Sequence, residues 1–183
     1  MIVYHVVTDR PMCVGQQIIF DNEHHSGVYQ RVYEKTDIVN DIYANADKYA
    51  LETLEHHTSV ALRELALEEV RQKKYPRYPS RMACLYVSET FEEAESWGKY
   101  FAEIGRPTYS IVKLDVNGDC FMGDATKCFK GQLSKDENLK LAEIYWENSA
   151  ETENQQTVRE ILVNGEITVL EIVKEINANI ESV

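Results

Sequence analysis

Near the carboxy terminus the chain runs Arg159-Glu160-Ile161-Leu162-Val163-Asn164-Gly165-Glu166-Ile167-Thr168-Val169-Leu170-Glu171-Ile172. Two apolar, β-branched runs flank Asn-Gly, the dipeptide that most readily supplies the two positive φ angles of a type I′ turn. The pattern predicts a two-residue hairpin joining strands over 158–163 and 166–173. An isolated hairpin is marginal in water, so this segment demands further strands to pair with.

Upstream segments meet that demand. Ile2 to Thr8 is β-branched and aromatic and ends at Asp9-Arg10-Pro11, and Met82 to Val87 is a short apolar run. Thr108 to Val116 carries Tyr109, Ile111, Val112, Leu114 and Val116 and stops at the turn signal Asn117-Gly118-Asp119. A further short strand fits Gln17 to Phe20, while the rest of Gly15 to Tyr33 is mixed and yields no assignment.

From Thr36 to Lys74 apolar residues arrive at steps of three or four, which predicts two helices, the second capped by Thr58 or Ser59. Tyr75-Pro76-Arg77-Tyr78-Pro79 stops them, because each proline disfavours helix in the residue before it. Ser88 to Trp97 opens another helix with a polar cap and acids in its first turn, running to about Ile104 before Gly105-Arg106-Pro107. A last helix is expected around Leu139 to Trp146, ahead of a polar stretch from Ser149 to Gln156. The class is α+β, and 183 residues with 44% hydrophobic content suit one domain over residues 1–183. Its helical insertion spans about 36–80.

With 31 acids against 19 bases, the formal charge of −12 repels polyanions. Nonspecific nucleic-acid binding and docking on an anionic membrane are therefore not expected. No window reaches the ~18 apolar residues of a membrane span, and the amino terminus lacks a signal peptide's apolar core, so the expected location is the cytoplasm. Cys13, Cys84, Cys120 and Cys128 show no C-x-x-C spacing and read as reduced thiols. The pairs His24-His25 and His56-His57 sit beside acids, but adjacent residues on a helix point about 100° apart. Without H-x-x-x-H or H-E-x-x-H spacing no metal site is expected, and His24 and His25 are instead candidates for the rim of a cleft. Neither a glycine-rich dinucleotide fingerprint, a P-loop nor a G-x-S-x-G elbow occurs.

Three of the expected strands each carry one chemistry-bearing side chain, in the order His5, Tyr86, Glu160. Each has a structural reading by itself. His5 alternates with Val3 and Val7 and reads as a hydrogen-bonded core histidine, and Tyr86 reads as a buried strand aromatic. Glu160 reads as an edge acid, although it shares a strand face with Leu162.

Together, Tyr4-His5-Val6-Val7-Thr8, Leu85-Tyr86-Val87-Ser88-Glu89-Thr90 and Arg159-Glu160-Ile161-Leu162-Val163 resemble the three motifs of ADP-ribosyltransferases. The branch they resemble is the His-Tyr-Glu branch shared with diphtheria-type toxins and poly-ADP-ribose polymerases. The insertion, with its lead-in Tyr78-Pro79-Ser80-Arg81, also resembles an uncharacterised bacterial domain family. The resemblance implies an ADP-ribosyltransferase-like split β-sheet core with a helical insertion between the first and second motifs. It implies NAD as a substrate and mono-ADP-ribosyl transfer to an unidentified acceptor, expected to be a protein.

It also implies roles. Breaking the nicotinamide–ribose bond builds an oxocarbenium-like cation, which the Glu160 carboxylate would stabilise as the catalytic group. His5 would orient NAD through its ribose hydroxyls and Tyr86 would stack on nicotinamide, with Thr8 adding a polar contact and Trp97 a second aromatic wall. Departures are visible: Val158 stands two residues before Glu160, where toxin-type transferases carry a second polar residue, and Val6 follows His5 where the polymerases have glycine. For a reaction on a phosphate, the basic candidates are Arg81 and Arg10. The alternative is a catalytically inactive nucleotide- or protein-binding module, with the insertion and the acidic carboxy-terminal half as its interaction surface.

Overall fold

A computed structural model of the chain describes residues 1–147 and 158–176. Its strands are β1 (Ile2–Val7), β2 (Gln17–Phe20), β3 (Leu85–Val87), β4 (Ser110–Asn117), β5 (Cys120–Asp124), β6 (Arg159–Val163) and β7 (Gly165–Glu175). Its helices are α1 (Gly27–Tyr33), α2 (Thr36–Ala44), α3 (Ala46–Tyr49), α4 (His56–Lys74), α5 (Phe91–Glu103) and α6 (Lys135–Glu147). The fold is α+β. The expected polar stretch from Ser149 to Gln156 lies outside the described residues.

All strand pairs are antiparallel and fall into two sheets, one in the order β1-β4-β7-β2 and the other β3-β6-β5. The expected β6–β7 hairpin does not form. β6 pairs with β3 and β5, whereas β7 pairs with β4 and β2, so Asn164-Gly165 is a corner at which the chain leaves one sheet for the other. Gly165 does take the positive φ of 81° that the dipeptide foretold. The β4–β5 connection makes the same crossing beside it, with Asp119 N–H donating to Asn164 Oδ1 at 2.8 Å and Asn164 N–H to the Asp119 carbonyl at 3.2 Å. Backbone approaches so closely here that a Cβ on Gly118 would overlap the Asn164 carbonyl, and one on Gly165 the Asn117 carbonyl. A local turn signal cannot distinguish a hairpin from such a corner, because both want the same φ.

The sheets pack face to face. Val3, Val7, Val112, Leu114, Val116, Ile167 and Val169 from the four-stranded sheet meet Leu85, Val87, Ile161 and Val163 from the other. Each fully buried aliphatic contributes about 1.5–3 kcal/mol of burial. On the outer face of the first sheet lies α5, through Ala94, Phe91, Trp97 and Phe101 against Val6 and Ile111. Against the outer face of the second lie α4 and α6, through Ala66, Leu67, Val70, Ala142, Tyr145 and Trp146 on Phe121 and Leu162. The first three helices of the chain pack on α4 around Val32, Val39, Ile42, Tyr49 and Leu62.

The insertion therefore holds three helices between 36 and 74, not two, and α4 is capped by Glu55, whose carboxylate accepts from His57 and Thr58 N–H. Thr58, buried inside the first turn, bonds to that carboxylate as well. By contrast α5 opens as expected: Thr90 and Glu93 form a reciprocal capping box. β3 is only the end of the 82–87 run, since Arg81 to Ala83 sit in a turn whose Ala83 N–H bonds the Ser80 carbonyl.

Candidate functional site

The register of β6 explains how the three motif residues meet. β3 pairs with β6 only as far as Val87 opposite Ile161. The next residue, Ser88, swings across to the other sheet and exchanges both backbone hydrogen bonds with Tyr4, at 2.9 and 2.8 Å. Glu160 thus lies just beyond the end of β3, at the seam where the sheets are stitched together. His5 and Tyr86 flank the stitch, and His5 Nδ1 lies 2.7 Å from the Tyr86 carbonyl.

A cavity of about 260 Å³ opens at this seam, lined by Tyr4, His5, Thr8, Tyr86, Trp97, Phe101, Arg106 and Glu160, among others. The five residues to which the resemblance gives roles, His5, Thr8, Tyr86, Trp97 and Glu160, are in its wall. A larger neighbour of about 710 Å³ shares Val87, Ser88, Trp97 and Ile161 with it and extends past Tyr100, Thr126 and Arg159. In Arg159 that second cavity also has a cation, held by Glu89 and by Glu93 at 3.7 Å.

The electrostatics differ around the wall. A carbonyl can only accept, so His5 carries its proton on Nδ1 and keeps the Nε2 lone pair. Burial holds the His5 pKa below its usual 6.5, opposed by the Tyr86 carbonyl and helped by the charge of Arg106, so the ring is neutral. Tyr86 is 41% exposed as a residue, and burial raises its pKa well above the ordinary value.

Glu160 is held firmly. Its Oε1 accepts from Arg81 Nη1 at 3.0 Å and from the Tyr145 hydroxyl at 2.7 Å. Arg81 is itself bonded from Nε to Glu64 at 3.0 Å and from Nη1 to the Tyr145 oxygen at 2.6 Å, and Glu64 takes a second arginine, Arg63. The charges balance, with two arginines to two glutamates. Burial alone would raise the Glu64 pKa, and Arg81 and Arg63 outweigh it, leaving Glu64 ionised below its usual range. Burial likewise disfavours the Arg81 cation, and the Glu64 carboxylate, the Tyr86 ring and Glu160 outweigh that too. Among the described residues no hydrogen bond engages the other oxygen of Glu160, which is part of the cavity wall.

Several expectations are corrected here. Tyr86 is not a buried strand aromatic, and Glu160 is not a solvent-facing edge acid. Arg81 is not placed to serve a phosphate, because its side chain is 7% exposed and its guanidinium is engaged by Glu64, Glu160 and Tyr145. Arg10 does not line the cavity, whereas Arg106 does. The histidine pairs are elsewhere: His24 bonds Asp21 at 2.8 Å, His25 stacks on Tyr29, and His56 and His57 open α4. Among the described residues no three His, Cys, Asp or Glu side chains gather as a metal site would require. Sequence reasoning missed Arg106, Tyr145 and Glu64. The first sat in a Gly-Arg-Pro helix breaker and the others on helix faces that nothing local tied to a strand far away.

Fold and site together define an α+β domain with a cleft at the seam of two antiparallel sheets. The family model described as Protein of unknown function (DUF2441) matches residues 3–175, from β1 through β7, and the chain belongs to that family. No curated protein matches it. No helix among the described residues is long and apolar enough to cross a membrane.

Proposed function

We propose that the cleft binds NAD and that the chain transfers ADP-ribose from it to an acceptor nucleophile. One observation carries this reading: residues chosen from four separated segments, His5 and Thr8, Tyr86, Trp97, and Glu160, line a single cavity. Among the described residues nothing bonds Nε2 of the neutral His5, which can accept from a ribose hydroxyl, and Tyr86 and Trp97 offer aromatic faces for nicotinamide. In the reaction the C1′–N bond breaks, nicotinamide leaves with the electron pair, and positive charge develops on the ribose. The Glu160 carboxylate faces that charge, and the acceptor then bonds to C1′ and gives up its proton. The family description names no activity, so the proposal rests on this geometry and on the motif resemblance.

The Arg81–Glu160 ion pair favours a second reading. A carboxylate already compensated by a cation has less charge to offer a cationic transition state, which suits a nucleotide-binding module without turnover.

NAD calorimetry followed by nicotinamide release, on wild type, His5→Ala and Glu160→Gln, separates the two. The transferase reading expects His5→Ala to lose binding, and Glu160→Gln to keep binding and lose release by about 100-fold or more. Binding by wild type without release selects the module, and no binding at millimolar NAD removes the NAD-using transferase reading.

A further inference from the structure

The geometry points to Arg106 as the anion subsite of the cleft, the group that takes the diphosphate of a bound dinucleotide. The inference deepens the NAD reading and rests on it for the identity of the ligand. An acidic chain of charge −12 repels a diphosphate unless a cation stands at the site itself. Among the described residues three arginines lie near the seam, and of these only Arg106 lines the smaller cavity, Arg159 lying in its neighbour. Arg81 is locked behind the wall by Glu64 and Glu160, and Arg159 is engaged by Glu89 and Glu93.

Arg106 is placed differently. Gly105, at a φ of 74°, turns the chain out of α5, and the Arg106 backbone is then pinned on both sides. Its N–H donates to the Phe101 carbonyl at 2.8 Å, and its carbonyl accepts from the Thr108 hydroxyl at 3.1 Å. The guanidinium lies over the Phe101 ring, 4.9 Å from its centre, and Arg106 stands with His5 and Thr8 in the cavity wall. Its carboxylate partner is Asp9, at a long 3.5 Å and with an 86% exposed side chain. Such a contact is cheap to exchange for a phosphate, which a planar fork can grip with two parallel N–H donors. Arg106 also helps keep His5 neutral, so the cation and the hydrogen-bond acceptor act within one another's field.

The test compares three probes by calorimetry on wild type, Arg106→Ala and Arg106→Lys: NAD, ADP-ribose, and nicotinamide riboside, which has no phosphate. Arg106→Ala is expected to weaken NAD and ADP-ribose about 10- to 100-fold, the scale of a charge-assisted hydrogen bond. The riboside should be unaffected, and Arg106→Lys should recover part of the loss by restoring the charge without the fork. Raising salt should shrink the wild-type advantage. Arg106 is on the surface, so circular dichroism should show both variants folded.

Unchanged NAD and ADP-ribose affinity in Arg106→Ala overturns the inference, as does an equal loss for the riboside, which would mark a structural effect. If ADP-ribose binds through Arg106 while the riboside does not bind at all, the anion subsite stands and the nicotinamide reading falls. Absence of binding by all three probes overturns both.

Discussion

The two walls of the cleft are held in contrasting ways. On the β6 side, Glu160, Arg81, Tyr145 and Glu64 form a closed set of ion pairs and hydrogen bonds with side chains at most 10% exposed where they pair. On the β1 side, among the described residues, His5 has one hydrogen bond, to a backbone carbonyl, and the side chains of Thr8 and Arg106 meet the carboxylate of Asp9 at a long 3.5 Å, with the Phe101 ring beneath the guanidinium. One wall is preorganised and the other is free to adjust. A site that must place a charge accurately while accepting a large flexible ligand gains from that division, because immobilising Glu160 costs nothing at the moment of binding. It also shows what the helical insertion does. Glu64 and Arg63 come from α4, so the insertion supplies part of the back wall of the cleft.

The largest expected effect comes from breaking the firm wall. Arg81→Ala strands Glu160 and part of Glu64 in a buried setting and should cost about 3–5 kcal/mol. Urea unfolding reads this directly, and a loss below about 1 kcal/mol would mean that the network is not the anchor described. Tyr145→Phe keeps the ring in the core and removes the hydroxyl between Arg81 and Glu160. It should cost about 1–3 kcal/mol by the same measurement, and much less if the remaining ion pair closes over the gap.

The smallest effect belongs to the adjustable wall and is a pH dependence. His5 has its pKa lowered by burial, so below about 6.5 the unfolded chain takes up a proton that the fold refuses. Stability should fall as pH drops through that point and level off once folded His5 also protonates. Glu64, with its pKa lowered below 4.5, contributes stability above that value and loses it only in more acid solution. Chemical denaturation as a function of pH should therefore show a step near 6.5 that His5→Gln abolishes. A step of the same size in both proteins would assign it to another group.

Much of this architecture was legible before any coordinates. The strand at β1, the short β2, the capping of α5 and the course of β4 followed from β-branched runs and turn or cap chemistry, which act over a few residues. The three motif residues were marked by the family resemblance and not by any local signal, since their shared cavity depends on where whole strands lie. What escaped reading was non-local. α1 is seven residues of Gly-Val-Tyr-Gln-Arg-Val-Tyr, too short to show a helical period, and it is held by Val32 against α4. β5, with Phe121 inward and Met122 outward, hid in a stretch broken by Gly123. The partner of β6 was misjudged because hairpin and corner have the same local signature. The partners of Glu160 come from 79 and 15 residues away and leave no trace in its own neighbourhood.

The paired corners at Gly118 and Gly165 bear on how the chain reaches this state. Their contact closes a segment of 45 residues and connects strands of both sheets at one point. Long-range closure of this kind is paid in entropy before any strand pairing rewards it, so it belongs to the slow part of folding. Until both corners seat, β5 and β6 cannot be delivered to one sheet while β4 and β7 are delivered to the other.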